Sequence, residues 1–183
     1  MSNAEGNGGT GDTLPANEDR EEQKGSFIAK VSSLMTYPRS IDSNHWTTKY
    51  TKDNSTIDLF MPKPRHDIKT PEEDRLPELD IVRAIIEKPL FTKENGNQIL
   101  RVEELVIHPK FKKESEFIYN ESYIEIDKEG TIVASRFPEE IEIEDEVRLA
   151  LNAAGLEIGL DFDEGYDSVM KTLNSLTLDD EVL

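Results

Sequence analysis

The sequence predicts an α+β fold, in which an antiparallel sheet built from hairpins is followed by two C-terminal helices and preceded by a disordered tail. Up to residue 137, short runs rich in β-branched and aromatic residues alternate with turn sequences, which is typical of hairpins. Beyond Pro138, apolar residues recur every three or four positions, the spacing of an amphipathic helix. The first 26 residues contain five glycines and almost no large apolar side chain, so they cannot offset the entropy of ordering.

These features divide the chain into three segments. We expect residues 1–26 to be a disordered acidic tail, residues 27–176 to form one domain, and residues 177–183 to be an acidic C-terminal tail that frays. Within the domain, the sheet should occupy residues 27–137 and the helices residues 142–176. A domain of about 150 residues is long enough to bury a substantial core.

The first half of the sheet should begin with a strand and a hairpin. A mixed apolar run that starts at Phe27 and ends before Pro38 predicts the strand. Segments 46–51 and 56–61 suit a half-buried pleated surface, and residues 52–55 between them have the composition of a turn. The sequence therefore predicts that these two segments pair.

Residues 62–80 contain four prolines among mostly charged residues. Proline removes a backbone donor and disfavours helix in the residue before it, so this segment should be a connection. A surface linker is the simpler interpretation, and a partner-binding arm is the alternative.

Residues 78–107 fit either a helix or a hairpin. Their β-branched residues favour a strand, whereas the spacing of Val82 and Ile85 also fits a helical stripe. We favour the hairpin, because residues 94–97 are a strong turn sequence across which the flanking runs can pair. Pro89 would then mark an edge or a bulge.

The last predicted hairpin pairs residues 123–127 with residues 131–137 across a turn that contains Gly130. Its first strand alternates apolar and polar side chains, which is the pattern of a half-buried strand.

Two helices should follow this hairpin. The apolar face of the first is formed by Val147, Ala150, Leu151 and Ala154. This helix should end at Gly155 or Gly159. The second helix should begin at residue 163 or 164 and end near Leu176, with Asp161 or Asp163 as its N-cap.

The negative charge of the chain is concentrated at its C-terminal end. The whole sequence has 39 acidic and 21 basic residues, a net charge of −18. Residues 1–26 carry −4, residues 27–113 carry +2, and residues 114–183 carry −16. Such a field repels nucleic acids and anionic lipids and attracts basic proteins.

The leading functional prediction is a non-enzymatic acidic interaction protein that binds a basic protein surface, as an adaptor, an inhibitor or an immunity-type protein. The densest acidic run, together with the acids at the start of the second helix, should form one negative face. The predicted partner-binding residues are Glu139, Glu140, Glu142, Glu144, Asp145, Glu146, Asp163, Glu164 and Asp167.

Two alternatives from other classes remain open. The near-neutral sheet could bind single-stranded nucleic acid, with the acidic tail as a regulatory element. Its candidate residues are Trp46, Lys49, Tyr50, Lys52, Phe60, Lys63 and Arg65. The second alternative is an enzyme whose site is assembled in space from residues that share no local motif.

The sequence contains no recognisable cofactor, metal or catalytic motif. The absence of cysteine excludes disulfides, thiolate metal sites and a cysteine nucleophile. The early glycines do not lie between a strand and a helix, and residues 161–172 lack the ligand spacing of a calcium loop. We therefore expect no cofactor and no metal.

Hydropathy and the N-terminal sequence bear on location. The mean hydropathy is −0.60, and the first residues lack the apolar core of a signal peptide. We expect a protein of the cytoplasm, or an intracellular protein in a host, with no membrane partner. The sequence leaves the oligomeric state undetermined.

Overall fold

The computed structural model describes residues 4–36, 38–40, 44–63, 81–109, 115–141 and 145–182. It confirms the α+β class, with a seven-stranded antiparallel sheet whose strands lie side by side in sequence order. The strands are β1 (Arg39–Ser40), β2 (His45–Lys52), β3 (Ser55–Pro62), β4 (Val82–Thr92), β5 (Gln98–Pro109), β6 (Ser115–Ile126) and β7 (Ile132–Arg136). The helices are α1 (Ala4–Ser33), α2 (Pro138–Ile141), α3 (Asp145–Ala153) and α4 (Phe162–Ser175), followed by a 3₁₀ turn at Leu178–Asp180.

The first predicted hairpin is confirmed as β2 and β3. Lys52 pairs with Ser55, which leaves Asp53 and Asn54 as a two-residue turn. Both turn residues have positive φ, 51° and 66°. This is the backbone of a type I′ turn, which matches the twist of the strands and which Asp and Asn tolerate.

The hairpin interpretation of the next region is confirmed as β4 and β5. Thr92 pairs with Gln98 across the predicted turn, in which Gly96 has a φ of 92°. The register shifts between Pro89 and Phe91, so the predicted bulge is also confirmed. A bulge leaves a residue unpaired, which allows proline in a strand with neighbours on both sides.

The β6–β7 hairpin and both C-terminal helices are confirmed. Ile126 pairs with Ile132 around a turn in which Gly130 has a φ of 86°. Helix α3 ends at Ala153, two residues before Gly155, whose φ of 72° is the left-handed conformation that terminates helices. Residues 142–144, where the first of these helices was expected to begin, lie outside the described part of the chain.

The segment that begins at Phe27 differs from the prediction. Helix α1 begins at Ala4 and runs through the expected boundary at residue 26. The strand predicted from Phe27 is wrong. Phe27, Val31 and Leu34 follow one another at intervals of four and three residues, and all three are buried in the core. That spacing places them on one face of a helix, so burial against the sheet decides the conformation.

The helices lie on one face of the sheet, where two apolar clusters form. The larger cluster contains side chains of α1, α4 and strands β2 to β5, and its fully buried members include Phe27, Tyr50, Ile57, Leu59, Ala84, Leu105, Val169 and Leu173. The smaller cluster contains Ile99, Tyr123, Ile141, Val147 and Leu151, and so attaches α2 and α3 to β5 and β6.

The C-terminal residues are held against β2. The backbone N–H of Val182 donates to the carbonyl of Lys49 at 2.8 Å, and Glu181 forms a β-bridge with Tyr50. Lys52 Nζ lies 3.8 Å from Asp180. The prediction that the C-terminal tail frays is therefore wrong for the residues from 177 to Val182. Residues 64–80 of the proline-rich connection lie outside the described part of the chain.

Candidate functional site

The predicted acidic residues lie on and beside α2, α3 and α4. Those within the described residues are all exposed: Glu139, Glu140, Asp145, Glu146, Asp163, Glu164 and Asp167. From residue 138 onward, the described part of the chain has twelve acidic residues and only two basic ones, Arg148 and Lys171. Glu142 and Glu144 lie outside the described residues. The helical layer therefore presents a strongly negative surface.

Two of these acids stabilise helix N-termini. Asp161 Oδ1 accepts from the backbone N–H of Glu164 at 2.9 Å, and the Glu164 side chain accepts from the N–H of Asp161 at 3.1 Å. This capping box begins α4 and confirms Asp161 as the N-cap. In the same way, the Glu140 side chain accepts from the N–H of Phe137 at 2.8 Å, at the start of α2.

The remaining acids differ in how far they are neutralised. Asp145 pairs with Arg148, and Asp163 lies 3.5 Å from Arg20 of α1. For Glu139, Glu146 and Asp167, no ion pair is found within the described residues. These last three carboxylates are therefore the ones whose charge is most available to a partner.

The residues of the nucleic-acid alternative do not share one face of the sheet. Tyr50 is fully buried in the core, where its hydroxyl donates to the carbonyl of Leu34 at 2.6 Å. Lys52 Nζ donates to the carbonyl of Ser175 at 2.5 Å, on the helix-covered face. Phe60 alternates with the core residue Leu59 and therefore points to the opposite face.

The other cations of that alternative are engaged or undescribed. Lys49 lies 3.7 Å from Asp58, and Lys63 lies over the Trp46 ring at 4.8 Å from its centroid. Arg65 lies outside the described residues. The structure thus does not assemble these side chains into a stacking platform.

The sequence analysis missed a cluster of buried charges centred on Arg101 of β5. This side chain is 3% exposed. Its guanidinium lies 3.2 Å from Glu103 and 3.6 Å from Glu121. It also donates to the Tyr123 hydroxyl at 3.2 Å and to the carbonyl of Glu157 at 3.3 Å. We call Arg101, Glu103, Glu121, Tyr119 and Tyr123 the buried charge cluster.

Glu121 connects the sheet to the segment between α3 and α4. Its carboxylate accepts from the backbone N–H groups of Gly159, at 3.0 Å, and of Leu160, at 3.0 Å. It also accepts from the Tyr123 hydroxyl at 2.6 Å. The Glu121 carboxylate thereby satisfies two backbone donors of a loop, and the guanidinium of Arg101 balances its negative charge.

Glu103 connects the sheet to α4. Its Oε2 accepts from the Tyr119 hydroxyl at 2.7 Å and from Ser168 Oγ of α4 at 2.8 Å. The Tyr119 ring also packs directly on Gly165 of α4, where a Cβ atom would overlap it. The buried charge cluster therefore fixes α4 at a set position on the sheet.

The protonation states in this cluster follow from burial and from neighbouring charges. Burial, with the carboxylate of Glu103, raises the pKa of Tyr119 far above its ordinary value. Burial, with the hydrogen bond to Glu121, does the same to the pKa of Tyr123. Burial opposes the charge of Arg101, but Glu103 and the tyrosines raise its pKa overall. Both phenols therefore remain donors at neutral pH.

This arrangement suits a structural role. Arg101, Glu103 and Glu121 are each engaged by several partners, and both carboxylates lie in similar buried surroundings. A catalytic pair of carboxylates requires opposed environments instead. The sequence did contain a signal for this cluster. Every second residue of a strand lies on the same face, so Arg101 and Glu103 lie on the same face of β5 as the apolar Leu105.

A cleft of about 590 Å³ lies beside the cluster, between α4, the α3–α4 segment and the ends of β3 to β5. Arg101 and Glu103 line it together with Lys88, Lys171 and Asp167, so its wall is of mixed charge. Among the described residues, no group of three or more His, Asp or Glu is placed to hold a metal ion.

Comparison of the chain with protein-family models, with curated proteins and with solved structures finds no match. Within the described part of the chain, none of the helices has the length and apolar character needed to cross a bilayer.

Proposed function

We propose that this chain is a non-enzymatic interaction protein, an adaptor, an inhibitor or an immunity-type protein, that binds a basic protein surface through the carboxylates of α2, α3 and α4. One observation carries the proposal: every predicted acidic residue within the described part of this layer is exposed, and from residue 138 onward the described part of the chain has twelve acids and two bases. We place this activity in the cytoplasm, or inside a host cell.

The physical basis is long-range attraction followed by docking. A surface of one charge sign raises the encounter rate with an oppositely charged partner, by about 10- to 1000-fold at low salt. Exposed charges at the rim of an interface act mainly on the association rate and on its salt dependence. The rigid attachment of α4 through Glu103 and Ser168 keeps the charged surface in one arrangement.

The buried charge cluster supports the non-enzymatic part of the proposal. Its carboxylates are occupied by Arg101, by tyrosine hydroxyls and by backbone N–H groups. Both carboxylates thus hold α4 and the α3–α4 segment on the sheet, which is a structural role.

The test begins with capture of a partner from the native source at low salt, followed by kinetics with the purified partner. The variant Glu139→Gln/Glu146→Gln/Asp167→Asn removes three exposed carboxylates that have no ion pair within the described residues. We expect its association rate to fall about tenfold at low salt and its salt dependence to become shallower. Surface plasmon resonance over a series of salt concentrations measures both.

The matched control is Glu18→Gln/Asp53→Asn/Glu94→Gln, which removes the same charge from exposed positions outside α2, α3 and α4. We expect this control to bind almost as the wild type does. Equal effects of the two triple variants would mean that net charge, and not the helical surface, determines binding. Capture of a partner whose binding is insensitive to salt would contradict the proposal itself.

A further inference from the structure

The two edges of the sheet differ in length and protection. At one edge, β1 has only two residues, Arg39 and Ser40, and follows Pro38. At the other edge, β7 has five residues, and no strand pairs with its outer side within the described part of the chain. An edge of this kind offers unpaired N–H and C=O groups to an incoming strand.

Exposed apolar side chains are concentrated at the β7 edge. Ile132 and Val133 of β7 are 59% and 52% exposed, and Phe137 directly after the strand is 67% exposed. Sheet edges are usually protected by lysine, proline, inward-pointing charge or a bulge. β7 has a bulge at Val133, because Ala134 pairs with Glu125 and Ile132 pairs with Ile126. The basic residue of β7, Arg136, lies 3.5 Å from Glu125 of the neighbouring strand. The exposed side chains at the start of β7 and directly after it are therefore apolar, and no lysine or proline lies within the strand.

Acidic residues lie at both ends of this apolar edge. Glu129 precedes β7 in the β6–β7 turn, and Glu139 and Glu140 follow it in α2; all three are exposed. A strand that pairs with β7 would thus meet apolar side chains along its length and carboxylates at its ends. This pattern is complementary to an extended segment that combines apolar residues with lysine or arginine.

We propose that β7 is the docking site for an extended, basic and apolar segment of the partner protein, which adds to the sheet as an eighth strand. This inference rests on the proposed function, because it identifies how the basic partner is held. Backbone hydrogen bonds to β7 supply affinity, and contacts with Ile132, Val133 and Phe137 supply specificity. A second copy of the chain fits the edge poorly, because antiparallel pairing of two β7 strands brings Glu129 of one copy towards Glu139 of the other.

The experiment uses the full chain and an acetylated, amidated decapeptide of alternating lysine and valine. The matched control peptide has the same sequence with N-methyl groups on all backbone nitrogens, which removes the hydrogen-bond donors of both strand edges while keeping the charge. With the first peptide, we expect amide hydrogen exchange of residues 132–136 to slow by about tenfold or more. With the control peptide, exchange there should not change.

Two variants with the same charge change locate the effect. Ile132→Lys places a charge on the edge, whereas Leu178→Lys places it at a site with similar exposure, 59% against 61%, beside β2. We expect Ile132→Lys to weaken binding of the unmodified peptide by about tenfold. Leu178→Lys should leave it unchanged, and amide NMR spectra verify that both variants are folded.

Equal binding of the two peptides, or equal effects of the two variants, would overturn the inference while leaving charge-driven binding intact. Absence of binding by either peptide, with salt-dependent binding of the captured partner retained, would also overturn only the inference. Sedimentation of the free chain as a dimer that Ile132→Lys dissociates would make a second copy the occupant. Loss of all salt-dependent partner binding would instead remove the proposed function.

Discussion

On the helix-covered face of the sheet, the larger apolar cluster and the buried charge cluster lie side by side and both contact α4. We call them the apolar half and the charged half of this contact, and the two are stabilised by different physics. In the apolar half, side chains such as Ile57, Leu105 and Leu173 are fully buried, and the contact with α4 depends on shape and on area removed from water. In the charged half, Arg101 and its carboxylates are almost as buried, and the contact depends on complete pairing. The apolar half should therefore respond to lost volume, and the charged half to lost partners.

The largest expected effect is in the charged half. Arg101→Met keeps much of the side-chain volume but leaves two buried carboxylates without their cation, which should destabilise the protein by about 3–5 kcal/mol. Urea unfolding at neutral pH measures the loss of stability.

Arg148→Met is the matched control for that variant. Arg148 is half-exposed and pairs with the exposed Asp145, so its loss should cost less than about 1 kcal/mol. A similar loss of stability in the two variants would mean that the buried carboxylates do not depend on Arg101 as their cation.

The next effect is in the apolar half. Leu173→Ala removes a fully buried side chain from the contact between α4 and the sheet, and should cost about 2–5 kcal/mol. Leu178→Ala, at a position that is 61% exposed, should change the free energy of unfolding by less than about 0.5 kcal/mol. Urea unfolding of both variants measures the difference, and a loss in Leu173→Ala as small as that in Leu178→Ala would contradict the role of the apolar half.

The smallest effect tests the junction of the two halves, where the Tyr119 ring packs on Gly165 and its hydroxyl binds Glu103. Gly165→Ala introduces a methyl group that overlaps this ring, and should destabilise by about 1–3 kcal/mol. Gly25→Ala in α1 has no atom within 4 Å of the new group and should stabilise by about 0.4–1 kcal/mol. Opposite signs in thermal or urea unfolding are the expected result, and equal signs would contradict it.

Features that depend on local chemistry were predicted well. The Asp53–Asn54 turn, the turn at residues 94–97 and the bulge at Pro89 follow from the backbone preferences of a few adjacent residues. The N-cap at Asp161 and the helix that follows it also depend on a few adjacent residues.

Features that depend on distant contacts were not predicted. The apolar stripe of α1 begins at Phe27, after a glycine-rich segment whose composition predicts disorder. Only the burial of this stripe against the sheet identifies it as one face of a helix. In β6, alternation places Glu121 and Tyr123 under the helices and Ile124 on the opposite face. Hydrophobicity alone would have predicted that the face with Ile124 is the one under the helices.

The sequence by itself determined where the charge lies, where the hairpins turn and where the last helix is capped, because turn geometry, capping and charge need only neighbouring residues. The tertiary structure alone decided which face of the sheet is covered, which charges are buried and which edge is left open. Arg101 meets a carbonyl 56 positions away, and Ser168 meets a carboxylate 65 positions away. Such pairings depend on how the whole sheet and its helices pack, and no local pattern specifies them.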